Sequence, residues 1–297
     1  MAKRYAEDYQ PIVYEWFMEG VESVPSMINE LFMVQGSTRA DERTLGVGGS
    51  PVEPWLDYER DGKVSHVDMD LGYAETYTHK EYAIRVSLKT KHIEDDQTGL
   101  IQQTFADVGV SAQQRRETDA ASVFNSSFAT VLGPDGVVLC SASHPVGPDN
   151  TGTTRDNLGT EAFSYAALKN ARDNMRGWND GQGNPYMVNG KLALLPIELD
   201  LEASEIFGAT GKPGTTSNDA SALNELGFGY KVWDYLTDAE SWWLLDTVRT
   251  KRFLRWYDRK LLFPKIIEET TTHVVYEFMM RYSFGWSHWS WLYGNTV

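Results

Sequence analysis

Apolar residues recur three or four positions apart over residues 97–132, at Ile101, Phe105, Val108, Ala112, Ala120, Phe124, Phe128 and Val131, and this spacing predicts a long helix with one buried stripe. Asp95 and Asp96 precede it as capping candidates, and Gly133-Pro134 stops it. Such a helix would run roughly 45 to 50 Å, with Gly109 as a place to bend. Upstream, residues 5–34 read as two short helices: "YAEDYQPIVYEWFMEG" ends at Gly20, and "SVPSMINELFMVQG" starts at Ser23-x-Pro25 and stops at Gly36. Residues 37–54 are polar and glycine-rich, which suits an extended arm. A period of two then appears at Tyr82, Ile84, Val86 and Leu88, with Asp61-Gly62 as a hairpin turn. The part near the turn is mostly charged and cannot build its own core. A two-stranded hairpin alone in water is marginal, so it either folds back on its own domain or reaches a neighbouring subunit.

Beyond the long helix, "PDGVVLCSASHP" reads as a turn and short strand, and "VGPDNTGTTRDNLGT" as a loop. From Glu161 the pattern becomes compact α/β: a helix at "EAFSYAALKNARDNM", a buried run "KLALLP", a helix "IELDLEASEIFG", and strands "GFGYKVWDYL" and "SWWLLD". This section resembles an inserted domain. The closing "THVVYEFMMRYSFGWSHWSWLYG" alternates as one or two long strands, and it concentrates Tyr282, Phe284, Trp286, Trp289, Trp291 and Tyr293 where chains are usually polar and frayed. That aromatic surface has to be covered by something. No fixed-period repeat or low-complexity tract interrupts the chain.

Composition narrows the picture. The chain has 297 residues, 41% of them hydrophobic and 12% aromatic, enough for one large domain or two medium ones. No run of about 18 apolar residues could span a membrane, and the first residues lack the apolar stretch and cleavage site of a signal peptide, so an aqueous setting is expected. A single cysteine, Cys140, excludes an internal disulfide framework. The formal charge of -15 argues against general nucleic-acid binding, since phosphate contacts need a basic surface.

Candidate chemistry is sparse. "GVGGSP" at 46–51 lacks the lysine and hydroxyl of a phosphate-binding loop and reads better as a connector. Cys140 and His144 lie four apart in "CSASHP", a spacing that invites a thiol–imidazole nucleophile, but no third group is identifiable and a lone cysteine is usually a small buried hydrophobe. "HIEDD", His92 to Asp96, offers mixed metal ligands, yet acids ahead of a helix are more simply a cap. No cofactor is implied. Ten tryptophans in an acidic chain suggest a carbohydrate hydrolase, for which spacing nominates no carboxylate pair. The strip "RTKRFLRWYDRK" sets Arg249, Lys251, Arg252, Arg255, Arg259 and Lys260 against Asp258, with aromatics interleaved. Its partner is acidic surface, its own or a neighbour's, before it is single-stranded nucleic acid.

Read in order, the elements are a polar arm, an extended hairpin, a long helix, an inserted α/β domain and terminal strands. That order, with "DGVVLCSASHP", "LALLPIELDLEASEIFG", "VWDYLTDAESWWLLD" and "RYSFGWSHWSWLYG", resembles the major capsid protein of tailed double-stranded DNA bacteriophages, the Hong Kong ninety-seven fold. The resemblance implies an α+β fold with an N-terminal arm (1–50), an E-loop hairpin (51–92), a P-domain with spine helix (93–160) completed by terminal strands (248–297), and an A-domain (161–247). It implies a structural protein, not an enzyme, that assembles with copies of itself as hexamers and pentamers into an icosahedral head around DNA, in the host bacterial cytoplasm. Scaffolding, portal and decoration proteins are the partners it suggests. Tyr58, Glu59, Arg60, Asp61 and Lys63 would then form the E-loop tip on an adjacent subunit, Arg249, Arg252, Arg255 and Arg259 would meet acidic neighbours, and Trp286, Trp289 and Trp291 would be core. The arm is short for a cleaved scaffolding region. Some relatives cross-link an E-loop lysine to an asparagine; Lys63 has no matching partner, and salt pairing is the expectation. An encapsulin-like nanocompartment shares the fold and is the nearest rival.

Overall fold

The computed structural model describes residues 2–47, 58–64, 72–89, 91–92, 99–146, 154–180, 183–208, 223, 225–269 and 272–297. In chain order the elements are α1 (Ala2–Ser23), α2 (Ile28–Leu31), β1 (Met33–Gly36), β2 (Asp41–Val47), α3 (Tyr58–Asp61), β3 (Tyr73–Thr78), β4 (Lys80–Lys89), α4 (Leu100–Asn125), β5 (His144–Pro145), β6 (Thr154–Arg155), β7 (Leu158–Gly159), α5 (Tyr165–Gly177), β8 (Leu192–Leu195), a 3-10 turn (Ile197–Leu199), α6 (Asp200–Gly208), β9 (Gly229–Val232), β10 (Trp242–Leu245), α7 (Thr247–Phe253), β11 (Leu254–Glu269), β12 (His273–Trp286) and β13 (Leu292–Asn295). Two sheets organise them. One has the order β1-β11-β12-β4, the other β7-β13-β10-β8-β9.

The helix α4 joins the two. Phe105, near its start, meets Tyr276 and Phe278 of β12 at 5.4 and 5.9 Å between ring centroids, whereas Phe124, at its end, meets Trp233, Trp243 and Trp291 of the second sheet's surroundings at 5.7–5.9 Å. Adjacent residues of β10 point to opposite faces, so Trp243 packs on Phe124 and Phe128 while Trp242 packs on Phe163 ahead of α5. One continuous core results.

Several elements differ from the sequence pattern for identifiable reasons. In place of two short helices over residues 5–34, the chain forms one helix of 22 residues from Ala2 to Ser23, a single turn and the strand Met33–Gly36. Gly20 does not stop α1, because its missing side chain lets α4 approach: a Cβ there would lie 1.9 Å from the Ala106 carbonyl oxygen. Gly109 plays the reciprocal part, its would-be Cβ 2.1 Å from the Phe17 carbonyl oxygen, so it is a contact point and not a bend. The helix α4 has 26 residues, about 39 Å. It starts after Gly99 in a left-handed conformation with no side-chain cap, and Asp95 and Asp96 lie outside the described residues. The apolar stripe is buried at Phe105, Ala120 and Phe124, but Gly109, Gln113 and Glu117 share the buried seam, and Val131 lies beyond the helix and is exposed. The polar arm contains strand β2, which pairs with β3 from Asp41↔Thr78 to Val47↔Tyr73. Asp61-Gly62 is no two-residue hairpin turn: Tyr58–Asp61 is a helical turn, and Gly62, at φ 62°, follows it. The alternating run is β4, an edge strand of the first sheet paired with β12. Of "PDGVVLCSASHP" only His144–Pro145 is a strand, and Leu132 and Val138 form an isolated bridge.

The terminal aromatics are interior. Trp286, Trp289 and Trp291 are 5, 2 and 0% exposed. Trp289 is sandwiched between His144 and His288, at 4.8 and 5.4 Å. The chain end is held because β13 pairs with β10 on one side and β7 on the other. No described helix is long and apolar enough to cross a membrane.

Two outcomes follow. Gly109→Ala should lower stability by about 1–3 kcal/mol in thermal unfolding, because overpacking against α1 outweighs the ~1 kcal/mol that alanine gains in helix propensity. Burial holds the His288 ring neutral, pushing its pKa down to about 3. Its stabilising contribution is therefore complete above the unfolded value near 6.5 and lost as pH falls below it. The melting temperature should drop between pH 7 and pH 4, and His288→Gln should flatten that drop.

Candidate assembly surface

The β2–β3 pair roots a long loop on the face of the first sheet that α4 does not cover. Tyr77, 3% exposed, packs on Tyr257 at 5.4 Å and over Gly285, where a Cβ would lie 2.9 Å from the tyrosine ring. Burial pushes the Tyr77 hydroxyl up to about 12. At the junction of β3 and β4, His79 Nε2 lies 3.1 Å from Ser37 Oγ, and that hydroxyl donates to Glu42 at 2.8 Å. A hydroxyl has one proton, so His79 must donate through Nε2, which fixes its tautomer. Burial, then Arg259 and Arg281, lower its pKa and keep the ring neutral. The root of the loop is thus fastened to the first sheet by packing and hydrogen bonds.

Its distal part is not covered. Tyr58 is 67% exposed, and Glu59, Arg60 and Lys63 are exposed beside it. Asp61 closes the helical turn. The glycine cluster at 48–51 and residues 65–71 lie outside the described residues.

The basic strip is divided among three environments. Asp246 caps α7 by accepting from the amides of Val248 and Arg249. Arg249 then turns inward: its guanidinium donates to Ser290 Oγ at 3.0 Å and to the Tyr186 carbonyl, and it lies over the Tyr186 ring. Burial lowers its pKa. It is engaged within its own chain. Arg252 is exposed, stacked on Phe253 at 5.2 Å. Arg255 and Arg259 are half-buried on β11, on the face away from α4, and Arg255 contacts Met33 Sδ at 2.8 Å. The intervening Trp256 and Asp258 point the other way, where Asp258 accepts from Trp256 Nε1 at 2.9 Å and from Arg116 at 3.1 Å through both oxygens.

The chemistry suggested by Cys140 and His144 does not assemble. Cys140 is 1% exposed, and burial pushes its thiol up to about 12. His144 has a third group, Asp135, at 2.7 Å from Nδ1, but its Nε2 faces the Leu139 carbonyl at 3.2 Å and no nucleophile. The tryptophans that motivated a sugar cleft are in the core: among the described residues all but Trp16 are buried, and Trp55 lies outside them. His92 is exposed, and the rest of "HIEDD" lies outside the described residues. Sequence reasoning missed His79 and Ser37, whose only signal is a polar pair flanking the extended hairpin.

Comparison with known proteins gives the family and the fold. The family profile described as phage capsid protein matches residues 73–295. No curated protein is significantly similar in sequence. The procapsid protein of bacteriophage JBD30 is 16% identical, with a TM-score of 0.57 over 100% of this chain and 76% of that one. The virus-like particle from Pyrococcus furiosus is 10% identical, with a TM-score of 0.54 over 97% and 99%. The holo-SrpI encapsulin from Synechococcus elongatus PCC 7942 is 10% identical, with a TM-score of 0.53 over 92% and 87%. The α+β, Hong Kong ninety-seven-like arrangement expected from the sequence is the one this chain shares with them.

Arg249→Gln should cost about 1–3 kcal/mol of stability by leaving its acceptors unpaired, whereas Arg252→Gln should stay within about 0.5 kcal/mol. Chemical unfolding of the two variants beside the wild type reads the contrast directly.

Proposed function

The chain belongs to the phage capsid protein family, and from that premise we propose that it is the repeated subunit of an icosahedral phage head, arranged as hexamers and pentamers around double-stranded DNA. It is a structural shell protein of the virion. The observation that carries the finer reading is the β2–β3 connection, fastened at its root and exposed at its described residues Tyr58–Arg60 and Gly62–Val64: a segment that cannot cover itself is suited to lie on the next subunit. In this reading Tyr58, Glu59, Arg60, Asp61 and Lys63 belong to its contact region. The first sheet with α4 serves as the P-domain and takes β4 as its edge. The second sheet serves as the A-domain and takes β13 from the chain's end.

The half-buried Arg255 and Arg259 and the exposed Arg252 are offered to acidic surface of a neighbour, while Arg249 is committed internally. No reaction is proposed. Scaffolding, portal and decoration proteins are expected partners, and assembly is expected in the host cytoplasm. The excess of acidic residues suits a shell that must confine DNA without binding it. Encapsulins share the fold, so geometry alone does not separate the two shells; the phage capsid profile over residues 73–295 favours the head.

Removing residues 57–66 should leave a folded monomer that no longer closes into shells. Light scattering with negative-stain images of the same fraction tests this, and shells at wild-type yield would show that the loop does not bridge subunits.

A further inference from the structure

The two most exposed large apolar side chains among the described residues are Met187 and Val248, at 82 and 81%. They stand on segments fastened to each other. The Asp246 carboxylate accepts from the Asn189 amide through one oxygen, at 2.8 Å, and from the Val248 and Arg249 amides through the other, at 3.0 and 3.2 Å. Arg249 adds its bond to the Tyr186 carbonyl. Met187 also holds a φ of 54°, a left-handed conformation that a non-glycine residue keeps only where its surroundings impose it. Lys251 and Arg252, both exposed, follow Val248 on α7 and give this apolar pair a basic rim.

The far end of β8 has the opposite character. Ile197 and Leu201 are 57 and 74% exposed and lie four residues apart, rimmed by exposed Glu198, Asp200, Glu202 and Glu205. The Lys191 amide donates to the Leu245 carbonyl, which sets the Met187–Val248 patch at the start of β8. The Ile197–Leu201 patch begins after Leu195, about 13 Å further along the strand.

We propose that these patches bind each other between copies of this chain: Met187 and Val248 of one copy, with their basic rim, dock on Ile197 and Leu201 of the next, with their acidic rim. The charges are complementary between the patches and repulsive within each, so like patches reject one another and only head-to-tail pairing is favoured. A contact between two different surfaces on one chain closes into a ring when the rotation permits. The proposal deepens the shell reading and rests on it in taking the partner to be a second copy.

The test pairs two charge reversals, Lys251→Glu with Arg252→Glu in one variant and Glu198→Lys with Glu202→Lys in the other, alongside the wild type in sedimentation velocity and light scattering. Each variant alone should keep the wild-type melting temperature and associate roughly tenfold or more weakly. An equal mixture should recover assembly, because each reversed patch then finds an opposite charge on the other variant. Wild-type association by either variant alone, or two folded variants that stay apart when mixed, would overturn the contact while leaving the shell reading intact. A wild type that never assembles would overturn both. Met187→Gly supplies a readout independent of charge: glycine accepts the left-handed φ, so the melting temperature should hold or rise while association weakens. Unweakened association of that variant would also count against the contact.

Discussion

Three charged side chains of α4 lie turned into the protein, and the arrangement of the first sheet depends on their being matched. Asp119, 5% exposed, accepts from Tyr82 of β4 at 2.6 Å, Tyr282 of β12 at 2.8 Å and Arg115 at 2.6 Å. Glu117, fully buried, accepts from the Met27 amide and from Gln113. Arg116 holds both oxygens of Asp258 on β11 and lies over Trp256 and Tyr282. Hydrogen bonds to charged groups contribute about 1.5–3 kcal/mol each, but losing one partner of a buried charge costs about 3–5 kcal/mol. The penalty for mismatch exceeds the gain from a match. Sliding or rotating α4 by one residue would strand all three charges, so they fix one register where the aromatic contacts alone would tolerate several.

The burial of these groups also shows in their titration. Desolvation raises the Glu117 carboxyl, and the Tyr282 hydroxyl is raised by burial and by its bond to Asp119. The same constraint explains how much of the fold was legible. Periodicity found α4, α5, β4, β8, β10 and β12, because those elements bury apolar rows, but it read β1 as the end of a helix, β7 as loop and the start of β11 only as a basic strip. It extended α4 past Asn125, since Phe128 and Val131 continue the spacing after the backbone has left the helix. It split α1 at Gly20, reading as a stop a glycine whose role is contact with α4.

Side-chain direction was the harder matter. Arg249, Arg252, Arg255 and Arg259 form one strip in the sequence, but a helix end followed by a strand sends Arg249 inward, leaves Arg252 in water and puts Arg255 and Arg259 on the sheet face opposite Asp258. Composition cannot report that division. Nor can it report that Asp246 is a clamp between α7 and the loop at Asn189, because a capping aspartate reads the same whether or not its second oxygen reaches Asn189.

The charge balance gives these local devices their importance for assembly. Each copy carries -15, so copies repel at long range, but salt at physiological strength screens beyond about 8 Å. Only charges brought close can then decide how two copies meet. Apolar side chains held out on rigid segments supply attraction without direction, and a basic rim on an acidic protein supplies direction without much attraction. A shell needs both, since each contact must be weak enough to break when misplaced and specific enough to recur at every equivalent position. Carboxylates engaged within the subunit make that possible at a distance: buried Asp119 and Glu117 fix the helix on its sheet, half-buried Glu42 fixes Ser37 and through it His79 at the loop root, and buried Asp246 fixes the loop that carries Met187. Rigidity inside the subunit is what allows small surfaces outside it to specify a geometry.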